Sequence, residues 1–391
     1  GGRHTAQTTG RDEVDVWREW RCGVVFEGYG NHRDLHSYPA RRASDLPTVI
    51  QHTHNSSGLC GIVFNQDNHW PAEFRDNIFV GNVVTSRVNR DRIQWRGSSP
   101  KGTKLPDLIR TRDPLFRPVD LQFGPDGALY IADFYNRIIG HYEVRLDHPG
   151  RDRETGRIWR LVYTGPKGER LAKSVNLPAA PLDQAIAELA SPLLARRMTA
   201  TDYLADDVGQ YAAAPLGQAM ARAGAKPELK AHGAWVLHRL GQLDEATQLR
   251  LANDKSELVR VHARRIAAAQ KNWTPKTTAV VLAGLHDSSP QVRRAAADAL
   301  ARQSHADHIR PLLTALGQAP ATDGHLRHAL RIALRNNLRA VDDRESGVDG
   351  GGGDLGGRRI STTKKLTLDT LRTSTYIAYR HTHKTLACHT P

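Results

Sequence analysis

The chain has few of the features that fix a protein's class at once, because cysteines, long apolar runs and aromatic side chains are all scarce. Its 391 residues include three cysteines, Cys22, Cys60 and Cys388, and these form no CxxC or CxxCH pair. This spacing excludes a disulfide framework and a covalently attached c-type haem within the chain. No stretch approaches about 18 consecutive apolar residues, so the sequence predicts no transmembrane segment.

Hydrophobic residues make up 39% of the chain and aromatic residues 6%, so we expect a packed core in one part and unfolded chain in another. The net charge of +14 is of a kind that suits a nucleic-acid partner. The arginines are spread along the whole sequence, however, and no zinc-finger or RNP signature is present. The charge therefore favours a solvated basic surface over a nucleic-acid partner.

Residues 1–54 are rich in Arg, His, Gly and Thr and show no sustained period of a strand or a helix. We expect this segment to be poorly ordered or irregular, apart from a short strand at 24–26. The chain begins at Gly1 without the charged and then apolar pattern of a signal peptide. This beginning predicts an internal fragment of a longer protein.

The pattern becomes more regular from Asn55 onward. Three runs rich in apolar or β-forming residues, at 59–64, 77–84 and 87–95, predict strands. The polar stretch 97–104 that follows them is predicted to be a loop.

The clearest local pattern lies in residues 116–162. Apolar and polar residues alternate at 119–123 and again at 128–133, and Gly-Pro-Asp-Gly at 124–127 supplies a tight turn between the two runs. This pattern predicts a β-hairpin. A further strand is predicted after Gly156, where Ile, Trp, Leu and Val recur.

Two runs within this region resemble a known family. PVDLQFGPDGALYIADFYN, which begins at Pro118, and HPGRDRETGRIWRL, which begins at His148, resemble one blade of the β-propeller in the glucose/sorbosone dehydrogenase-like family. They are most similar to the membrane-bound dehydrogenases of planctomycetes. The resemblance implies about two propeller blades over residues 55–164, which is a partial propeller because two blades cannot close the ring. It also implies HEAT-type helical repeats after the blades and then a c-type haem domain, which is absent from this chain.

The composition changes to Gly, Pro and Lys over residues 165–181, which predicts a linker, and after it the apolar period changes from two to 3.6. The segments 256–260 and 289–293 are near repeats, 33 residues apart. Residues 182–339 are therefore predicted to form an α-solenoid of about four HEAT-like helix pairs, and the alternative is an ordinary helical bundle. Gly-rich and then Thr-rich sequence predicts a disordered tail over 340–391. The expected fold class is multidomain β plus α, a partial β-propeller followed by an α-solenoid, with disordered ends.

In the resembled family the reaction is oxidation of a sugar or another alcohol, with a quinone cofactor and calcium in its best-known members. The resemblance also implies electron transfer to a c-type haem domain and a periplasmic or cell-envelope location. Such a site needs a histidine that takes the hydroxyl proton and carboxylates that hold calcium. We expect no turnover from the isolated chain, because about two blades cannot build a central site.

Polar residues around the hairpin are the candidates for this site. His141 lies beside carboxylates in a long loop and is the predicted catalytic base. Asp133, Asn136 and Arg137 follow a strand and are the predicted cofactor-binding residues, and no metal ligand is assigned. The remaining polar candidates are Asp120, Asp126, Asp147, His148 and Arg151.

Several of these candidates also have a structural interpretation. Asp126 in its turn bonds its own backbone, Asp133 caps the next loop, and His141 forms surface ion pairs. The other histidines show no spacing that assigns a ligand set or a base, and packing or surface positions are expected for the helical ones; these are His52, His54, His69, His232, His238 and His262.

Two functional hypotheses of different classes remain. The first is a fragment of a sugar or alcohol dehydrogenase whose electrons pass to a c-type cytochrome domain. The second is an interaction protein, in which strands and helical repeats present rigid surfaces, with a protein partner on the solenoid and no chemistry.

Overall fold

The computed structural model describes residues 48–56, 58–67, 69–140, 144–165 and 174–348. Within these ranges, two antiparallel sheets are followed by a series of helices, which confirms the predicted combination of β and α structure. The predicted irregular segment 1–54 lies outside the described residues as far as residue 47, and the predicted disordered tail does so from residue 349.

The first sheet is an antiparallel meander in which the strands lie side by side in sequence order. Its strands are β1 (Leu59–Asn65), β2 (Asn77–Asn82), β3 (Arg87–Arg96) and β4 (Ser99–Arg110). The first three lie where strands were predicted from the sequence. Buried Ile78 and Phe79 on β2 project to opposite sides of the sheet, since successive side chains of a strand alternate between its faces.

Strand β4 includes most of the stretch 97–104, so the prediction of a polar loop there was wrong. Only Gly97 and Ser98 form the turn, because Arg96 already pairs with Ser99. Gly97 has a φ of 64°, which a glycine adopts without steric cost. In the described part of the sheet β4 is an edge strand, so the missing N–H of Pro100 costs it no central ladder bond. Pairing with β3 overrides the polar composition.

The second sheet consists, within the described ranges, of β5 (Pro118–Phe123), β6 (Leu129–Asp133) and β7 (Arg157–Leu161), in that order. The predicted hairpin of β5 and β6 and the predicted strand after Gly156 are both confirmed. In the turn, Ala128 N donates to Asp126 Oδ1 at 3.1 Å. Local turn chemistry therefore sets the register of this hairpin.

Strand β5 packs across β1 and β2, and two glycines permit the close approach. A Cβ atom on Gly61 would meet the Cα of Asp120, and one on Gly81 would meet the carbonyl oxygen of Pro118. Burial of each large apolar side chain at this junction contributes roughly 1.5–3 kcal/mol. The buried members of this core are Trp70, Phe79, Val88, Phe116, Leu121, Leu129 and Ile131.

The helical part begins at Leu182, after a short 3-10 turn at Leu177–Ala179 within the predicted linker. Its helices are α1 (Leu182–Glu188), α2 (Leu194–Asp202), α3 (Ala213–Ala221), α4 (Pro227–Arg239), α5 (Glu245–Ala252), α6 (Glu257–Ala269), α7 (Pro275–Ala283), α8 (Pro290–Arg302), α9 (Ile309–Gln318) and α10 (Gly324–Val348). Three of them start with proline, whose missing N–H is not needed in the first turn. Helix α10 continues past the predicted boundary at residue 339, since it has no glycine or proline between its first residue, Gly324, and Gly347.

Alternate helices pack against each other in sequence order: α2 contacts α4, α4 contacts α6, and α6 contacts α8. The near repeat has a structural counterpart in these contacts. Arg260 donates to the carbonyl oxygens five and six residues before it, and Arg293 does the same at its own position. Arg260 also binds both carboxylate oxygens of Asp287, each at 2.8 Å, which joins α6 to the start of α8.

One carboxylate ties the β part to the helical part. Asp323, just before α10, accepts from the backbone N of Ser98 at 2.7 Å and from the hydroxyls of Ser98 and Ser99 at 2.9 and 2.7 Å. It also accepts from Leu326 N, so the same oxygen atoms cap the helix. The sheets and the helices up to Val341 belong to one compact unit.

Candidate functional site

The segment of residues 48–54 lies against one face of the first sheet. Gly102 N on β4 donates to Val49 O at 2.7 Å, and Val49 packs on the buried cluster that contains Ile93. At the other end of the segment, Asn82 Nδ2 on β2 donates to His54 O at 3.0 Å. These contacts fix the segment at both ends.

His52 and His54 converge on one carboxylate. Nε2 of His52 lies 2.8 Å from Asp91 Oδ1, and Nε2 of His54 lies 2.8 Å from Asp91 Oδ2. Both imidazoles therefore reach the same side chain on β3. The two rings meet edge to face, with their centroids 5.0 Å apart.

The three side chains differ in exposure. Asp91 is 2% exposed and His54 is 4% exposed, whereas the side chain of His52 is 25% exposed. A buried carboxylate is costly without charged or hydrogen-bonding partners, and the two imidazoles are such partners. The arrangement is therefore a buried anion with one enclosed imidazole and one that solvent reaches.

Further polar side chains on the same sheet hold this cluster in place. Asn82 also donates to Asn89 Oδ1 at 3.0 Å, Asn89 donates to Asp107 Oδ1 at 2.8 Å, and Arg87 pairs with Asp107 at 3.0 Å. The chain of hydrogen bonds runs across β2, β3 and β4 and ends on the backbone of His54. Such connected networks orient the groups they contact.

The cluster was missed by the sequence reasoning, which gave no role to His52 and His54 and did not consider Asp91. Two signals were available, the i, i+2 spacing of the histidines and an aspartate inside a strand pattern. Neither indicates that residues 52–54 lie beside residue 91, because that contact depends on how an irregular segment crosses the sheet. An imidazole–carboxylate cluster can accept a proton or bind a metal ion.

The structure places the predicted cofactor-binding residues elsewhere, at the end of β6. Asp133 Oδ1 accepts from Arg117 N at 2.7 Å and from Tyr135 N at 2.9 Å, and Oδ2 accepts from Trp159 Nε1 at 2.9 Å. Asn136 Nδ2 donates to the backbone carbonyl oxygen of Asp152 at 2.6 Å. Arg137 is exposed, and the predicted base His141 lies outside the described residues. The functional role of these four residues stays a prediction.

The remaining polar candidates form local contacts. Burial raises the pKa of Asp126, but hydrogen bonds from Arg160, Ala128 N and Tyr130 outweigh burial and hold the pKa below its usual range. Asp147 pairs with Arg145 at 2.7 Å on the surface. The other three contact their own loop or strand: Asp120 accepts from Leu121 N, His148 Nδ1 accepts from Gly150 N, and Arg151 donates to the carbonyl oxygens of Gly140 and Val144.

A cavity of about 420 Å³ lies between the first sheet and the helices. Trp95 lines it from β3, and buried His232 and His262 line it from α4 and α6. Burial, and the nearby charge of Arg197, lower the pKa of His232 to about 3. Burial also lowers the pKa of His262 well below its ordinary value, so both rings are neutral near pH 7.

Comparison with family models gives a match over part of the chain. A family model described as a domain of unknown function, DUF7133, matches residues 27–165, a range that includes both sheets and the cluster of His52, His54 and Asp91. No curated protein matches the chain. None of the helices in the described ranges is both long and apolar enough to cross a membrane.

Proposed function

We propose that the chain is part of an oxidoreductase that acts on hydroxyl groups of sugars or other alcohols. In this proposal the two sheets are neighbouring blades of a β-propeller and the helices form an α-solenoid of HEAT-like pairs. The longer protein works in the periplasm or cell envelope and passes electrons to a c-type haem domain.

The sheets support the propeller part of this proposal. Each is an antiparallel meander in sequence order, and the two pack face to face through the close contacts of Gly61 and Gly81 with β5. Blades of a propeller have this strand order and this packing. The second sheet has three strands within the described residues, so a complete blade needs one more.

The helices support the solenoid part. Alternate helices contact each other in order along the chain. Arg260 and Arg293, which are 33 residues apart, make equivalent backbone contacts. Gln303 donates to the carbonyl oxygen of Gln270, and these two residues are also 33 residues apart. A bundle has no reason to repeat such contacts at a fixed spacing, whereas stacked repeats do.

The observation that carries the chemical part is the cluster of His52, His54 and Asp91. Oxidation of an alcohol removes a proton from oxygen and a hydride from carbon, and a histidine oriented by a carboxylate is suited to the first task. When Nε2–H of His52 bonds Asp91, its Nδ1 carries a free lone pair and can accept the proton. Asp91 then stabilises the imidazolium, and His54 holds the other oxygen of Asp91.

The cofactor that the resemblance implies is less well supported. A quinone would accept the hydride and calcium would need hard oxygen ligands. The oxygens of Asp133 already accept three protein N–H groups, so they do not fit a calcium site without loss of these bonds. Among the described residues we assign no group to a quinone, and the proposal is confined to proton removal.

The test uses the natural full-length protein and a panel of sugars and alcohols. With a quinone and a reducible dye present, we expect His52→Gln and Asp91→Asn to lower kcat/KM by at least about 100-fold, the usual contribution of a general base. His286→Gln, at an exposed position in the helical part, serves as the matched control and keeps full activity.

Two results would contradict the proposal. Unchanged turnover in both cluster variants would remove the base role, while a full-length protein that oxidises no member of the panel would remove the oxidoreductase assignment.

The second candidate, an interaction protein without chemistry, is favoured by strand β7. Ile158 is 76% exposed there, Trp159 is also exposed, and β7 is the last strand of the described sheet. Exposed apolar residues on an edge strand are typical of a surface that another strand or protein covers. Loss of partner binding on Ile158→Lys, with turnover absent throughout, would favour this candidate.

A further inference from the structure

The cluster of His52, His54 and Asp91 has a donor set that metal ions use. It combines two imidazole nitrogens and one carboxylate oxygen, and the three ligand atoms all lie within 4.8 Å of one another. Two histidines and a carboxylate leave further coordination positions open, which is the ligand count of exchangeable and catalytic sites. The ligands come from two parts of the chain, residues 52–54 and β3, and hydrogen bonds from Asn82 on β2 and Gly102 on β4 hold the segment to the sheet.

The enclosed histidine can change its tautomer when a metal ion binds. The carboxylate of Asp91 accepts from His54, which places the proton on Nε2, and the buried Nδ1 has no hydrogen-bond partner among the described residues. When a metal ion displaces the bond to Asp91, the proton can move to Nδ1 and leave the Nε2 lone pair for the metal. This exchange breaks no hydrogen bond other than the one to Asp91 that the metal replaces.

The buried charge points the same way. Asp91 carries a carboxylate into a nearly solvent-free position, where the two imidazoles are its hydrogen-bond partners. Lys104, its cross-strand neighbour, donates to Thr53 O at 3.4 Å. A divalent cation between the three ligands compensates the anion directly.

We propose that His52, His54 and Asp91 bind one divalent transition-metal ion, with Zn²⁺ as the representative, and that binding competes with the proton-accepting state of His52. Nitrogen-rich ligands with one carboxylate favour zinc and its neighbours over calcium or magnesium, which require mainly oxygen. The metal takes Nε2 of His52, so Nδ1 becomes protonated and no longer accepts a substrate proton. The metal site stands on the geometry alone, whereas the inhibitory role rests on the proposed function.

Binding is tested on the full chain by calorimetric titration with Zn²⁺ at neutral pH. Other ligand-type residues near the C-terminus, His381, His383, Cys388 and His389, are replaced by alanine in every sample so that they do not contribute. We expect one zinc per chain, and at least about tenfold weaker binding on His52→Gln and Asp91→Asn, since even residues that only support ligands contribute this much. The control His286→Gln keeps the affinity of the background.

Equal zinc affinity in the background and in both cluster variants would overturn the site. Because a variant can fail by losing its fold, each sample is also checked by circular dichroism. A second substitution, His54→Gln, tests the enclosed ligand separately, and it also must weaken binding.

The inhibitory role has its own readout in the full-length protein. If it is right, Zn²⁺ lowers substrate oxidation with the midpoint found for binding, and EDTA restores the rate. Loss of activity on EDTA would overturn inhibition and make the metal a required cofactor. Zinc binding in a protein without any turnover would instead retain the metal site and reject the proposed oxidoreductase function.

Discussion

Buried histidines in the helical part illustrate what a single residue contributes. His232 on α4 lies 2.9 Å from Thr201 Oγ1 through its Nδ1, and His262 on α6 accepts from Trp235 Nε1 at 3.1 Å. Burial disfavours the charged form of each ring, and Arg197 adds repulsion at His232. These side chains therefore stabilise the fold only while they remain neutral.

Acidification should destabilise the protein through His232. Its pKa in the folded state is about 3 and lies below the ordinary value of 6.5, so the unfolded chain takes up the proton first as the pH falls. The contribution is complete above about pH 6.5 and is lost on the way down to about pH 3. At pH 5 the loss amounts to about 2 kcal/mol of unfolding free energy. Urea unfolding at pH 7.5 and pH 5.0 measures the loss of unfolding free energy between the two pH values. In His232→Gln this loss should be smaller than in the natural chain by about 2 kcal/mol.

The control for this experiment is His286→Gln, because His286 is exposed in the same part of the protein. It should keep the pH dependence of the natural chain. An identical pH dependence in His232→Gln would mean that this ring does not carry the effect.

Single residues also differ in how well the sequence predicts their contacts at the candidate site. The backbone bond of Asp126 in its turn was predictable, since Ala128 N lies only two residues away, whereas its bond from Arg160, 34 residues away, was not. His52, His54 and Asp91 could not be grouped, because their contact joins positions 39 and 37 residues apart through an irregular segment. A local pattern carries no information on such a contact.

At the scale of elements, two helices that begin with serine provide a direct comparison. Ser289 Oγ accepts from Val292 N at the start of α8, whereas Ser256 makes no side-chain cap at the equivalent start of α6. The two segments are near repeats in sequence but differ in this cap.

Replacement of these serines should separate the two cases. Ser289→Ala removes a real cap and should lower the unfolding free energy by about 1 kcal/mol. Ser256→Ala removes no cap bond, so the free energy of unfolding should change by no more than about 0.5 kcal/mol in either direction. Urea unfolding of both variants against the natural chain measures the difference, and equal losses would contradict the assigned caps.

Strand β4 and helix α10 show where element prediction failed. The sequence of β4 is polar and contains Pro100 and Pro106, so no local preference indicates a strand, and the hydrogen bonds to β3 decide its conformation. For α10, the composition after residue 339 predicted the end of the helix there, although the first glycine that could end it is Gly347. In contrast, the hairpin of β5 and β6 combined alternation with a specific turn and was predictable.

At the scale of the whole molecule, one of the joints between sheets and helices is a polar contact at Asp323. Asp323 is 1% exposed and accepts four hydrogen bonds, three of them from Ser98 and Ser99 at the tip of the β3–β4 hairpin. Gln291 on α8 adds one to Gly97 O at 3.2 Å. No local pattern predicted this contact, since every participant is an ordinary turn or cap residue.

Removal of the carboxylate should loosen this joint. Asp323→Ala leaves the buried N–H of Ser98 without its acceptor, which costs about 1–3 kcal/mol. Hydrogen exchange at Gly97, Ser98 and Ser99 should accelerate, followed by mass spectrometry of the corresponding peptides. The matched control is Asp307→Ala, an exposed carboxylate in the same helical part, which should leave exchange at the hairpin tip unchanged.

The hydrogen bond from Ser98 to Asp323 spans 225 residues of chain. At roughly 5–20 residues per second, a ribosome that has just made the hairpin needs on the order of ten seconds or more before it adds the aspartate. Throughout that time the backbone N–H of Ser98 lacks its acceptor, the carboxylate of Asp323. The hairpin tip of the nascent chain therefore stays exposed to water, or bound by a chaperone, until the last helix is made. In a protein truncated before residue 323 the tip stays exposed permanently.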